Sequence, residues 1–160
     1  MFVDYLKSPI GDIEISADEK SVHSILFREE NPEKKSPSHL TQLVINQLTG
    51  YFDGKRMDFN FPMEIAGTEF QKKVWGLLKE IPFAKTISYL ELAKRVGDVK
   101  SIRAVGTANG RNNFVIVLPC HRVIGSDGKL VGYGGGLWRK EWLLKHEFRI
   151  NDKKNFFSLE

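Results

Sequence analysis

Residues 88 to 110 read SYLELAKRVGDVKSIRAVGTANG, and the capping and turn residues of this stretch indicate how the second half of the chain folds. Ser88 stands three residues before Glu91, which predicts a capping box and a first helix that ends at Gly97. A second helix is expected to begin at about Ser101, after the short polar link DVK. Two short helices joined by a tight turn with glycine are typical of a helix-turn-helix, although helical hairpins that never touch DNA show the same pattern.

The second helix of this pair would present an unusual surface, because Arg103 is its one long side chain among Ala104, Gly106 and Ala108. Basic residues also concentrate in this half: residues 85–149 hold 12 Lys or Arg against 5 Asp or Glu, although the whole chain carries only +4. An anionic partner such as a nucleic-acid backbone fits this charge. A solvated basic face is the alternative.

The first 66 residues have a different pattern. Three short β-rich runs, separated by turn signals at residues 9–12 and 18–20, predict a small antiparallel meander. Apolar residues at helical spacing then predict a helix that ends at Asp53-Gly54, and MDFNFPMEI alternates like a strand or an extended connector. We expect an α+β fold with a boundary near Ala66: a small α/β domain over 1–66 and a mainly helical domain over 67–160.

The second domain should open with another helix. Thr68 and Gln71 form a capping box ahead of the apolar residues Phe70 and Val74, and Pro82 stops the helix.

Composition limits the protein to a few classes. A chain of 160 residues with 41% hydrophobic residues can build a proper core, and no apolar run approaches the roughly 20 residues that span a bilayer. The amino end, MFVDYLKSPIGD, lacks the order of a secretion signal, so we expect a cytoplasmic protein, or a nuclear one in a eukaryote. The single cysteine would stay a free thiol in a reducing compartment.

That cysteine lies in the motif LPCHRV, residues 118–123, within the longer stretch NNFVIVLPCHRVIGSDGKLVGYGGG. Phe114 to Leu118 is predicted as a buried strand that delivers Cys120 at its end, followed by a hairpin turning at residues 126–128 and a triple-glycine loop. Residues at such positions often form sites, but an isolated free cysteine is more often a buried and inert one. The adjacent His121 favours chemistry.

A carboxylate that could serve His121 lies far along the chain. In the helix LWRKEWLLKHEF, Glu147 shares the inward stripe of Leu143 and Leu144, whereas Arg139 and Lys140 are expected on the wet face and His146 pointing outward. A buried acid needs a partner, and His121 is the natural candidate. A free thiol is only ~3% thiolate at pH 7, so a cysteine that attacks carbon needs such a base, reached through a turn or a bridging water.

Together these residues resemble the methylated-DNA–protein-cysteine methyltransferases, also called 6-O-alkylguanine-DNA alkyltransferases. The resemblance runs from about Thr68 to Glu147 and is carried by Asn112, Pro119-Cys120-His121-Arg122-Val123, Tyr133 with Gly135-Gly136-Leu137, and Glu141-Trp142-Leu143-Leu144 with Glu147. Over residues 1–66 it rests on the order of elements alone and implies a ribonuclease-H-like domain. The family flips the damaged guanine out of duplex DNA and moves its alkyl group irreversibly onto the cysteine.

The resemblance also implies roles for individual residues. The catalytic group would be Cys120 as nucleophile, His121 as water-linked base, Glu147 as its orienting partner, and Asn112 as a brace. The residues expected to contact DNA are Tyr89, Arg103, Ala104, Arg111 and Ser126, with Arg103 filling the gap left by the flipped base. The base pocket would be walled by Tyr133, Gly134, Gly135, Val115 and Val123.

The family also implies the partners. The protein would act as a monomer on double-stranded DNA that contains 6-O-alkylguanine, with 4-O-alkylthymine as another candidate base, and without a cofactor. No zinc is expected, because the amino-terminal cysteines that bind it in some members are missing here. A non-enzymatic helix-turn-helix protein with a structural cysteine and a Cys-His hydrolase are the alternatives.

Overall fold

A computed structural model of the protein describes residues 1–29 and 34–158, with side chains as far as residue 154. The chain divides into two compact units, Met1–Ala66 with Asn113–Val117, and Gly67–Asn112 with Leu118–Glu160. The segment 113–117, which the sequence placed in the second domain, therefore belongs to the first unit. Within the described residues, no helix is both long and apolar enough to cross a bilayer.

The first unit contains the predicted meander. Strands β1 (Phe2–Ser8), β2 (Gly11–Ala17) and β3 (Val22–Arg28) form an antiparallel sheet in the order β1-β2-β3. Alternate residues of β2 are fully buried, as period-two patterning requires. Helix α1 (His39–Phe52) lies against β1 and β2 and begins with a capping box between Ser38 and Thr41.

Two segments complete this unit without forming regular strands. The stretch MDFNFPMEI is the extended connector, since it contains no named strand, and Val22 of β3 exchanges backbone hydrogen bonds with Pro62 and Glu64. The prediction of a strand from Phe114 to Leu118 is wrong. Ile25 pairs with this segment through two backbone hydrogen bonds, but Ile116 then adopts a φ of 73°, so the chain turns instead of extending.

The second unit is built from helices. Helix α2 (Glu69–Leu78) starts with the predicted capping box at Thr68, and the indole of Trp75 donates to the carbonyl of Ala108 at 2.9 Å. Because Ala108 lies on a later helix, this bond fixes α2 against it.

The helix pair of residues 88–110 is present. Helix α3 (Tyr89–Val96) is capped by the Ser88 side chain and ends at Gly97, whose φ of 111° only glycine adopts readily. The second half of the expected capping box is missing, because the Glu91 carboxylate accepts from Arg95 instead. After a 3₁₀ turn, helix α4 (Ile102–Gly110) follows and packs against both α2 and α3.

A short parallel pair, β4 (Ile87–Ser88) with β5 (Val123–Ile124), joins the start of α3 to the residues after the cysteine. The turn at residues 126–128 is present and is closed by the amide of Gly125 donating to Lys129, but β5 pairs with β4, not with a second hairpin strand.

Helix α5 (Leu137–Ser158) corrects three expectations from the sequence. Arg139 and Lys140 are buried, not on a wet face, and so is His146, which stacks on Trp142 with 4.9 Å between ring centroids. The reason is that the glycine-rich loop before the helix supplies carbonyl oxygens to both cations: Arg139 donates to Gly135, and Lys140 donates to Gly132. The helical period of the apolar residues predicts the helix, but it does not predict a loop that covers the polar face of that helix.

Candidate active site

The thiol of Cys120 lies at the start of a 3₁₀ turn, Cys120–Arg122, and is 4% exposed. The side chain of Asn112 holds it: the amide nitrogen donates to the carbonyl of Leu118 at 2.7 Å and to the Cys120 sulfur at 3.2 Å. Asn112 thus fixes both the backbone before the cysteine and the sulfur itself. This is the geometry expected of a brace.

Burial raises the pKa of the Cys120 thiol, and the Asn112 hydrogen bond and the charge of Lys140 only partly offset it. The resting sulfur is therefore mainly protonated at neutral pH, and it needs a base before it can attack carbon.

His121 has the properties of that base. Its Nε2 donates to the Glu147 carboxylate at 2.6 Å, and its Nδ1 is buried with no hydrogen-bond partner in the part of the chain that the structure describes. Burial lowers the pKa of His121, against the opposing charge of Glu147, so the imidazole is neutral. With Nε2 donating, Nδ1 keeps its lone pair and can accept a proton through a water molecule.

Glu147 anchors this cluster. Its two carboxylate oxygens accept from the His121 ring, from Nε and Nη2 of Arg122, and from the amide of Ala84, at 2.6 to 3.1 Å. Burial alone would raise the pKa of Glu147, but His121 and Arg122 hold it well below its usual range. A fully buried carboxylate thus stays ionised and fixes the imidazole in one tautomer.

Arg122 was missed as a site residue by the sequence reasoning. Arg122 donates to the Glu147 carboxylate through two nitrogens, Nε and Nη2. Its third nitrogen, Nη1, donates to the carbonyl of Ile81 at 2.7 Å. Its place beside His121 in the PCHRV motif is the only signal that pointed to it.

Lys140 was also missed. Its ammonium donates to the carbonyl oxygens of Val131 and Gly132, at 2.9 and 3.1 Å, and to the Tyr89 hydroxyl at 3.4 Å. Burial lowers the pKa of Lys140 to about 8, although the nearby Cys120 favours its charge. Lys140 thus links the glycine-rich loop to the helix pair from inside the unit.

An open groove of about 610 Å³ lies over the helix pair and brings together three residues predicted to contact DNA, namely Tyr89, Arg103 and Ser126. Ala104 and Arg111 are exposed on and just after α4. The groove is also lined by further residues of α3 and α4 and by residues of the loop after β5: Leu90, Ile102, Gly106, Thr107, Gly125, Val131 and Gly132.

The predicted pocket residues have mixed positions. The Tyr133 hydroxyl is buried, and burial together with the nearby Cys120 raises the pKa of Tyr133 well above its usual value. Gly134 is exposed, and a Cβ added there would lie 3.5 Å from the Gly110 carbonyl. Val123 is buried in β5, while Val115 belongs to the first unit, where its amide donates to Ile25.

A buried thiol with a histidine–carboxylate pair, in the same unit as a helix-turn-helix, defines a nucleophilic-cysteine protein with a candidate DNA surface. Comparison with known proteins gives the family. Residues 69–149 match the DNA binding domain of 6-O-methylguanine DNA methyltransferase, and residues 1–65 match the ribonuclease-like domain of the same proteins. The chain belongs to the 6-O-methylguanine DNA methyltransferase family, which confirms the resemblance stated above.

Individual relatives agree. A methylated-DNA–protein-cysteine methyltransferase of Methanosarcina mazei is 45% identical over 153 residues, covering 92% of this chain and 97% of that protein. The crystal structure of the Mycobacterium tuberculosis O6-methylguanine methyltransferase is 37% identical, with a TM-score of 0.84 over 92% of this chain and 93% of that one. The M. tuberculosis OGT in complex with DNA gives 36% identity and a TM-score of 0.87 over 94% of each chain.

Proposed function

We propose that this protein repairs duplex DNA by transferring the alkyl group of 6-O-alkylguanine to Cys120 in a single turnover. The observation that carries the proposal is the buried chain of contacts from the thiol-bracing Asn112 to the His121–Glu147 pair, within one compact unit that also bears the groove of Tyr89 and Arg103. Family membership and a similar structure solved with DNA support the same activity.

The geometry of the site supports the following reaction. The thiol proton passes through a water molecule to Nδ1 of His121, whose positive charge Glu147 stabilises. The sulfur then attacks the alkyl carbon, forming a carbon–sulfur bond while the bond between that carbon and O6 breaks. The departing guanine takes the proton and becomes an ordinary base. A thioether has no route back to a thiol here, so each molecule acts once.

The base must leave the helix to reach a thiol that is only 4% exposed. We propose that α4 enters the minor groove, where the small Ala104 permits close approach, and that Arg103 fills the space left in the base stack. Tyr89, which lines the groove and accepts a hydrogen bond from Lys140, would crowd the target phosphate and favour rotation of the nucleotide. Ser126 and Arg111 would add contacts to the DNA backbone.

The test is the intact mass of the protein after incubation with a duplex that contains one 6-O-methylguanine. We expect the wild type to gain one methyl group and Cys120→Ala to gain none while it still binds the duplex, because the helix pair does not depend on the thiol. A protein that binds DNA without gaining mass would instead be a plain helix-turn-helix protein. Turnover of an ester or amide through Cys120 would indicate a hydrolase.

We further propose 4-O-alkylthymine as a second substrate, a monomer as the active form, and the cytoplasm as the location of the protein, or the nucleus in a eukaryotic cell. Light scattering of the protein with and without duplex tests the monomer, and the methyl gain with a 4-O-methylthymine duplex tests the second substrate.

A further inference from the structure

Trp138 is the most exposed of the three tryptophans and belongs to none of the groups described so far. It lies in the first turn of α5, directly after the glycine-rich loop, and is 55% exposed. Trp75 is 3% exposed, and Trp142 is half-buried and stacks on His146. An indole as open as that of Trp138 is unusual, because tryptophan is highly buried on average in proteins.

The indole of Trp138 is held in place by its neighbours. The Arg139 guanidinium lies over the ring, 4.6 Å from its centroid, and Arg139 is itself only 4% exposed and donates to the Gly135 carbonyl at 2.8 Å. A Cβ added to Gly136 would lie 3.2 Å from Cδ1 and Nε1 of the indole, so the ring lies close against this glycine. Because one ring face is turned to Arg139 and more than half of the residue is exposed, the opposite face is open to solvent.

The glycine-rich loop places this aromatic face beside the helix pair. Near the start of the loop, Val131 lines the groove. Gly134 then approaches the end of α4, where an added Cβ would lie 3.5 Å from the Gly110 carbonyl, and Gly136 lies against the indole. The loop therefore runs from the groove, past the end of α4, to Trp138. The indole thus continues the surface that we propose to bind DNA.

The charge around Trp138 and the shape of its ring favour one kind of ligand. Exposed Arg111 follows α4, and residues 85–149 hold 12 Lys or Arg against 5 Asp or Glu. Nucleic acid combines negative charge with aromatic faces that stack on such side chains. In a duplex the base faces are covered by their neighbours in the stack, so a flat indole can stack only on an unpaired base. Single-stranded DNA offers such bases.

We infer that Trp138 is a stacking platform for an unpaired base of single-stranded DNA that flanks the 6-O-alkylguanine. The inference rests on the proposed function and adds a binding site outside both the groove and the pocket of the target base. Stacking on an aromatic side chain tolerates any sequence, because every base has a π-face. The platform holds damaged single strands, in which Arg103 has no base stack to refill.

The experiment measures the affinity of the protein for three labelled DNA probes by fluorescence anisotropy. They are an undamaged single strand, the same sequence as a duplex, and a single strand of equal length with abasic sites, which keeps the phosphates but lacks bases. The proteins are the wild type, Trp138→Ala, which removes the ring, and Trp138→Phe, which keeps an aromatic face. Phe148→Ala, at a 41% exposed aromatic residue further along α5, is the matched control. Circular dichroism verifies that each variant is folded.

In Trp138→Ala the affinity for the single strand should fall by roughly 5- to 150-fold, the range for one stacked base, while the affinity for the duplex changes by less than about threefold. The abasic strand should bind the wild type and Trp138→Ala equally, since it has no base to stack. Trp138→Phe should retain most of the affinity for the single strand, and Phe148→Ala all of it. Adding the single strand should also quench the tryptophan emission of the wild type, and quench that of Trp138→Phe far less.

Unchanged affinity of Trp138→Ala for the single strand overturns the inference. An equal loss on single strand and duplex, or a loss on the abasic strand, also overturns it, because either result would place the indole against the DNA backbone. If Trp138→Ala does not fold, Trp138→Phe decides, since quenching as strong as in the wild type would show that no base reaches the indole. All these outcomes leave the proposed function intact, whereas a wild type that binds neither the single strand nor the duplex contradicts the proposed function itself.

Discussion

The two compact units bury different kinds of side chain. In the first, the fully or nearly buried polar residues that the structure describes are Asp4, Thr41 and Gln47, none of them cationic, and the interior is otherwise apolar. In the second they are Asn109, Asn112, His121, Arg122, Arg139, Lys140, His146 and Glu147. Burying charge costs free energy unless each group is paired, and replacing buried ion pairs by apolar residues often stabilises a protein. The second unit thus carries a cost that folding alone does not require.

This difference shows where chemistry has constrained the sequence. The buried groups of the second unit form connected clusters around Cys120, with Glu147 joining His121 to Arg122, and Lys140 joining Tyr89 to the glycine-rich loop. Each member holds a neighbour in one orientation. The sheet and helix of the first unit pack together without such a network among the described residues, so we attribute the network to the reaction.

The largest expected effect comes from breaking that network at Glu147. Glu147→Gln leaves the buried guanidinium of Arg122 without a counter-charge and His121 without the carboxylate that stabilises its charged form. We expect a loss of about 3 kcal/mol in the free energy of unfolding and a fall in methyl transfer of roughly 100-fold or more. Urea unfolding and single-turnover rates measure the two effects.

The matched change in the first unit is Glu14→Gln. Glu14 pairs with an Arg28 side chain that is 47% exposed, so this ion pair is worth at most about 1 kcal/mol, and transfer should not change. Equal losses of stability at Glu14 and Glu147 would contradict the contrast between the units.

The next effect concerns the groove. Arg103→Ala should slow repair of a 6-O-methylguanine duplex by roughly 10- to 100-fold while hardly changing transfer from the free base 6-O-benzylguanine, since only the duplex has a stack to refill. Arg95→Ala is the control, because Arg95 is exposed on α3 but does not line the groove. Equal losses on both substrates would mean that Arg103 supports the fold and not the DNA contact.

A smaller effect is expected in the pH dependence of stability. Burial holds the pKa of His121 in the folded protein below 6.5, the ordinary value expected in the unfolded chain. At a pH between these two pKa values, the unfolded chain therefore binds a proton that the folded chain does not. The contribution of His121 to the free energy of unfolding is therefore fully present above about pH 6.5. This contribution decreases as the pH falls below that value, by up to about 1.4 kcal/mol per pH unit. His121→Asn should flatten this slope between pH 7 and 5, and His39→Asn, at an exposed position of the first unit, should not. Urea unfolding at each pH provides the comparison, and a slope unchanged in His121→Asn would refute the assignment.

Most of the fold could be predicted from the sequence because it follows local rules. The meander, α1, the capping box at Thr68 and the end of α3 at Gly97 each depend on residues a few positions apart. Phe114 to Leu118 was predicted wrongly because an apolar run shows burial but not the left-handed backbone at Ile116. Nothing in the residue type marks that turn in advance.

The site could be predicted in part. His121, which follows Cys120 in the chain, and Glu147 form the expected hydrogen bond, because the inward stripe of α5 places the acid among buried leucines. The burial of Lys140 could not be predicted, since its acceptors are carbonyl oxygens at Val131 and Gly132, and every residue has one.

The smallest predicted effect should be the same in both units. Ser38 caps α1 in the first unit and Thr68 caps α2 in the second, each through a capping box, and neither belongs to the buried polar groups of the part of the chain that the structure describes. Ser38→Ala and Thr68→Ala should therefore each cost about 1 kcal/mol, a fall of roughly 2 to 4 °C in the melting temperature, and leave methyl transfer within about twofold of wild type. Thermal unfolding and transfer rates of the two variants are the measurement. If Thr68→Ala lost methyl transfer as Glu147→Gln is expected to, the reaction would depend on the whole helical unit and not only on the buried clusters around Cys120.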